Sequence, residues 1–205
     1  MRTYTEITID MGEYLSEPGT DTSAWYDFTQ DRRNNAVRES EIYLAQVLPG
    51  KLLPKLQTEP LNIVDLIADN ILTLPVDILK PFMLWHQPAS GYNTYIYERD
   101  EEWHKLQDGL SFNPNNDPYY LMRGDKKYEI VHGISSPAFY MKGIKYPQTY
   151  SPEFDFGDQY SELDGQEHLI SLHASALLMT KAKEFDTANG LFELCNSKVK
   201  ILNNG

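Results

Sequence analysis

The spacing of apolar residues changes twice along this chain, and that change restricts the fold more than any motif does. Up to about residue 50, and again after residue 164, apolar residues recur every three to four positions, the period of an amphipathic helix. From Tyr92 to about Tyr160 they come instead in short runs rich in tyrosine and isoleucine, separated by turn residues, which is the signature of strands. The passage between the two regimes is ILTLPVDILKPFMLW (71–85), nearly all apolar yet carrying Pro75 and Pro81. A proline pushes the residue before it out of helical conformation, so ILTLP is expected to be extended.

The helical parts read as follows. In TYTEITIDMGEYL, Ile7, Met11, Tyr14 and Leu15 share a face, and Pro18-Gly19 ends the pattern. A second helix is expected from about Thr22 to Gln46, capped by Thr22 or Ser23, with Trp25 and Phe28 on one face and Val37, Leu44 and Leu48 further on. LPGKLLPKL alternates leucine with proline and suits an irregular packed connection, because an interior proline costs a helix about 3 kcal/mol. LNIVDLIADNILTLP is expected to be helix or turn to about Ala68. Near the C-terminus, Leu169, Leu172, Ala176 and Leu177 form one stripe and Ala188, Leu191, Phe192, Cys195, Val199 and Leu202 a second, with Asp186 or Thr187 as the cap between them. Two antiparallel helices follow from that pattern.

Between these parts, YNTYIYE, KYEIVHG, AFYMKGIKYP and QTYSPEF read as strands, with EEWHKL (101–106) as a short helical interruption. The expectation is an α+β chain. Residues 1–74 and 161–205 form a helical bundle, and 75–160 a small antiparallel β-sheet insertion.

Composition excludes several classes. A chain of 205 residues with 41% hydrophobic and 12% aromatic content is long and apolar enough to bury a core. A net charge of −12, from 30 acids against 18 bases, does not suit gripping a DNA phosphate surface. The single cysteine, Cys195, precludes an internal disulfide framework. No apolar run reaches the roughly 20 residues of a membrane span, and MRTYTEITID lacks the pattern of a signal peptide.

The chemical motifs resolve to structural readings. His168 and His173 are five apart on an expected helix and so face different ways, which is poor geometry for a shared metal. Cys195 lies in an apolar stripe and reads as a buried thiol. Arg123-Gly124-Asp125, followed by two lysines, reads as a turn between strands. His86, Glu101, Glu102 and His104 would make a carboxylate–histidine cluster if the fold brought them together, but their neighbours Trp85 and Trp103 argue for packing. Phosphate loops, dinucleotide fingerprints, nucleophile elbows and zinc motifs do not occur in the sequence. No catalytic residues, metal ligands or cofactors are expected.

The order of segments carries a resemblance. TYTEITIDMGEYL, then SAWYDFTQDRRNNAVRESEIYLAQVLPGKLLPKL, then LTLPVDI before a β-rich middle, then SELDGQEHLISLHASALLMTKAKEFDTANGLFELCNSKVKIL, resembles the head-to-tail connector or adaptor proteins of tailed bacteriophages, also called ring or gatekeeper proteins. The tyrosine-rich, acidic style is similar to ring proteins of short-tailed phages, including the crAss-like group. The resemblance implies a structural virion protein made in the bacterial cytoplasm and residing at the head–tail junction. It implies a closed homo-oligomeric ring, commonly of about twelve copies, between portal and tail proteins, with double-stranded DNA passing through without specific binding. Trp25, Trp85, Trp103, Phe112, Tyr119 and Tyr120 are the candidate interface or channel-loop residues, since aromatic side chains dominate interface energetics.

Two other readings fit the same residues. A tail-completion or channel-stopper protein would use DGLSFNPNNDPYY (108–120) as a loop reaching the axis. A small cytoplasmic enzyme or ligand-binding domain would place His86, Glu101 and His104 in a pocket.

Overall fold

The computed structural model describes residues 2–16, 28–88, 92–100, 118–134, 138–151 and 153–204. The chain forms two compact units, one from residues 1–56 and 146–205, the other from residues 57–145.

The first unit contains, among its described residues, four α-helices. Helix α1 (Tyr4–Leu15) opens on a capping box: the Thr3 hydroxyl accepts from the Glu6 N–H while the Glu6 carboxylate accepts from the Thr3 N–H at 2.8 Å. It closes at Ser16, which turns left-handed. Helix α2 spans Gln30–Val47 and is preceded by non-helical Phe28 and Thr29, so it does not run unbroken from Thr22 as expected. Trp25 lies outside the described residues. After α2, Leu48, Leu53 and Leu56 are buried along two short 3₁₀ turns, the irregular connection that the prolines predict.

Helix α3 (Glu167–Lys181) is the centre of this unit, because α1, α2 and α4 (Phe185–Asn204) all pack against it. Every residue from Leu169 to Ala176 is buried, so the expected stripe is in fact a wrapped helix, with Ala174, Ser175 and Ala176 letting neighbours approach closely. The α3–α4 connection turns at left-handed Lys183. Helix α4 starts at Phe185, which puts Asp186 in its first turn, where a carboxylate favours the positive end of the helix, rather than at the cap. Among the described residues, no helix is long and apolar enough to cross a membrane.

The second unit corrects the expected architecture. Among its described residues it holds eight strands: β1 (Leu61–Asn62), β2 (Ile67–Ala68), β3 (Ile71–Thr73), β4 (Ile78–His86), β5 (Thr94–Glu98), β6 (Tyr119–Gly124), β7 (Lys127–Val131) and β8 (Phe139–Lys145). They form one sheet in the order β1-β8-β4-β5-β6-β7-β3-β2. All pairings are antiparallel except β5–β6, which is parallel, and the mixed sheet curls into a half-barrel. The chain is therefore not a helical bundle with a small antiparallel insertion.

Two stretches account for most of the difference. The region expected as helix or turn up to Ala68 is β1, a 3₁₀ turn and β2, and Asp69 and Asn70, both left-handed, make a two-residue hairpin loop into β3. ILKPFMLWH is a nine-residue strand lying between β8 and β5. Pro81 is tolerated inside it because the ladder with β8 slips between Pro81 and Met83, a bulge of the kind that also strengthens curl. Opposite Pro81 sits Gly143, where a Cβ would come within 2.7 Å of the Ile78 side chain. QTYSPEF, expected as a strand, instead begins with a 3₁₀ turn over Gln148–Tyr150 and belongs to the helical unit.

Candidate functional site

The sheet has two unlike faces. Leu84, Ile96, Tyr120, Ile130, Phe139 and Met141 point to the core side. Successive side chains on a strand alternate, so Trp85, Tyr95 and Tyr97 belong to the opposite face. Pairing then lines the rings up across strands. Tyr95 lies beside Trp85, which lies beside Tyr140 with rings stacked at 5.8 Å, and Tyr97 lies beside Tyr119. Tyr95 and Tyr97 are 48% and 57% exposed. The β4–β5 pairing stops at Leu84 and Ile96, after which β5 turns to β6, and the strands part around a groove of about 310 Å³. Met83, Tyr95, Tyr97 and Glu98 line it. Burial pushes nearby Lys80 down to about 8, against the opposing pull of Glu98.

The structure separates the sequence-predicted candidates. Trp85 and Tyr119 lie on the aromatic face but are themselves buried, and Tyr120 points into the core. Trp25, Trp103 and Phe112 lie outside the described residues, as do Glu101, Glu102, His104 and most of DGLSFNPNNDPYY. His86 sits on the core side with its ring edge-on to Phe139 at 5.8 Å, and among the described residues its buried Nε2 finds no hydrogen-bond partner. His132 meets the same phenylalanine at 4.9 Å and accepts from the Ile134 N–H at 3.1 Å. Its pKa is pushed down by burial first and by His86 second.

Other motif residues take structural places. His173 is buried, stacks on Tyr43 at 4.3 Å and pairs its Nδ1 with the Ser40 hydroxyl at 3.0 Å. Because that hydroxyl donates to the Ala36 carbonyl at 2.6 Å, His173 is the donor of the pair. Among the described residues, no three His, Cys, Asp or Glu side chains are grouped to hold a metal ion. Arg123 pairs with Glu129, and Asp125-Lys126 makes the turn between β6 and β7.

Cys195 is fully buried 3.9 Å from the Leu169 carbonyl, and burial pushes its thiol up to about 11. Labelling by a thiol reagent in native buffer is expected to run at least about a thousandfold slower than in denaturant, because it must await opening of α4 from α3. Equal rates would show that the thiol is accessible.

One functional-looking group lay hidden in the sequence. Glu41 is fully buried on α2, accepting hydrogen bonds from Tyr4, Thr149 and Ser161. Its signal is spacing: residue 41 falls on the stripe of Val37, Leu44 and Leu48, so a carboxylate occupies an apolar position.

On the helical unit, α4 turns Ala188, Cys195 and Val199 inward and leaves Phe185, Leu194 and Ile201 exposed. Comparison with protein-family models and with curated proteins finds no match to this chain.

Proposed function

We propose that this chain is a structural subunit of a ring in a tailed-bacteriophage head-to-tail connector, joining portal to tail at the virion's head–tail junction and keeping the DNA path sealed during packaging retention and ejection. The observation that carries the reading is a pair of unlike apolar surfaces, one on each unit: the half-exposed tyrosines Tyr95 and Tyr97 beside Met83, and Leu194 and Ile201, which share a face of α4. A cyclic ring repeats one heterologous contact, so each copy must offer two different adhesive surfaces. The order of segments supports the same reading, with helices contributed by both ends of the chain and strands from its middle. Acidity fits a channel wall. A charge of −12 per copy, repeated around a ring, places on the order of a hundred negative charges near DNA, within reach where screening over about 8 Å is incomplete.

Mass in solution, with negative-stain images, at low and high concentration and with a portal ring, tests this. Closed rings, or a monomer that forms a ring on the portal, are expected. Replacing Tyr95 and Tyr97 together by serine is expected to weaken assembly by about tenfold or more, the effect of losing an interface hot spot. A compact monomer indifferent to the portal overturns the proposal.

A further inference from the structure

The Glu41 carboxylate gathers hydroxyls from three separate stretches of the helical unit. Tyr4 of α1 donates to both oxygens at 3.0 Å. Thr149, just after the sheet unit ends, donates to Oε2 at 2.6 Å, and Ser161, just before α3, donates to Oε1 at 2.6 Å. Segment 146–163, by which the chain returns from the sheet to the helices, is thus tied at both ends to one side chain. Other ties gather around the same point. The Tyr4 ring meets Phe154 and Phe156 edge-on at 5.5 and 5.3 Å, the Ser161 N–H donates to the Arg2 carbonyl, and the Leu163 N–H donates to the Ser161 hydroxyl.

We propose that Glu41 is a proton-operated clasp: with a proton on its carboxyl, segment 146–163 is held against α1 and α2, and loss of that proton loosens the segment. This is independent of the assembly role. Hydroxyls can donate or accept, so Tyr4, Thr149 and Ser161 satisfy the carboxyl in either state, and what changes is the cost of keeping a charge out of water. Burial is the largest influence and raises the group to about 7; the hydrogen bonds from Ser161, Thr149 and Tyr4 pull it down, and the charge of Glu162 pushes it up. Charged groups nearby include Arg38 of α2, which donates to the Thr149 carbonyl, Lys55, whose ammonium lies 3.4 Å from the Ser161 carbonyl, and Glu167, which accepts from the Arg2 N–H.

When the segment opens, Glu41 meets water and returns to its ordinary value of 4.5. Between 4.5 and about 7 the closed form therefore binds one more proton than the open form. Opening becomes easier as pH rises through that window and stops changing above it.

Hydrogen exchange at the Tyr4, Ser161 and Leu163 amides, corrected for intrinsic rates, reads the opening constant from pH 5 to 8. It is expected to rise by up to about tenfold per pH unit toward pH 7 and then level off. Glu41→Gln is expected to be flat, whereas Glu162→Gln keeps the rise with its break moved down. Tyr4→Phe, which removes a hydroxyl that favours the charged form, moves the break up. Opening independent of pH in the unaltered chain, or a rise that survives Glu41→Gln, overturns the proposal. If Glu41→Gln does not fold, Tyr4→Phe decides, and a break that does not move up overturns it.

Discussion

Phe139→Ala is expected to destabilise the sheet unit by about 3–5 kcal/mol, the range for deleting a buried phenylalanine. Phe139 opens β8, is 1% exposed and sits in the core with Leu84, Ile130 and Met141. Two features keep the loss near the upper end. The site is bounded by strand backbone that cannot collapse inward, since the Phe139 carbonyl accepts from the Ile63 N–H at 3.0 Å and its neighbour Ala138 accepts from the Gln87 N–H at 2.9 Å. The ring is also the apolar wall for His86 and His132, which both pack edge-on to it. Phe139→Leu keeps most of the volume and is expected to cost less than about 1.5 kcal/mol. Hydrogen exchange of the most protected β4 and β8 amides measures both changes. A loss under about 1 kcal/mol for the alanine variant would show that this ring is not central to the sheet.

How much of this was legible beforehand depends on whether the determining contacts are local. Helix α1 was legible because its buried side, Ile7, Met11 and Leu15, is written within one stretch, whereas its capping box of Thr3 and Glu6 emerged only with the structure. The α3–α4 pair was legible for the same reason. The sheet was less so. Pro81 argues against an interior strand, and only the bulge opposite Gly143, about sixty residues away along the chain, makes it acceptable. Asp69-Asn70 is a hairpin signal, yet the two-residue strands around it are too short to show a period. The parallel pairing of β5 with β6 joins residues about twenty apart and leaves no mark in the residues of either strand. The same limit applies to the candidate site. Alternation along one strand separates Trp85 from Leu84, but the row Tyr95–Trp85–Tyr140 exists only through register between three strands. Glu41 was readable as an anomaly of spacing, while its partners Thr149 and Ser161 lie more than a hundred residues further on.

Glu41→Gln is also expected to steepen the loss of folding stability on acidification, by removing a titration that opposes it. Two buried groups in the helical unit work against each other. Glu41 is raised to about 7 in the folded chain, so between its ordinary 4.5 and that value the folded state holds an extra proton, and its contribution to stability grows as pH falls. His173 is lowered by burial to about 4 from 6.5, so over that range the unfolded state holds the extra proton, and its contribution shrinks as pH falls. The geometry agrees: neutral His173 already has its Nδ1–H donated to Ser40 and its ring covered by Tyr43 and Phe192, leaving the charged form no compensating partner among these contacts. From about pH 4.5 to 6.5 the two slopes have opposite sign and nearly cancel. Removing the Glu41 titration leaves the histidine slope, a loss of about 1.4 kcal/mol per pH unit on acidification, or roughly 2.5 kcal/mol across that interval. His173→Gln is expected to tilt the profile the other way, toward greater stability in acid. Urea unfolding of the three proteins at pH 4.5, 5.5 and 6.5 separates the contributions, because titrations common to all three cancel in the differences. Parallel profiles would mean that neither group changes its protonation on folding, and the clasp at Glu41 would then have no proton to operate it.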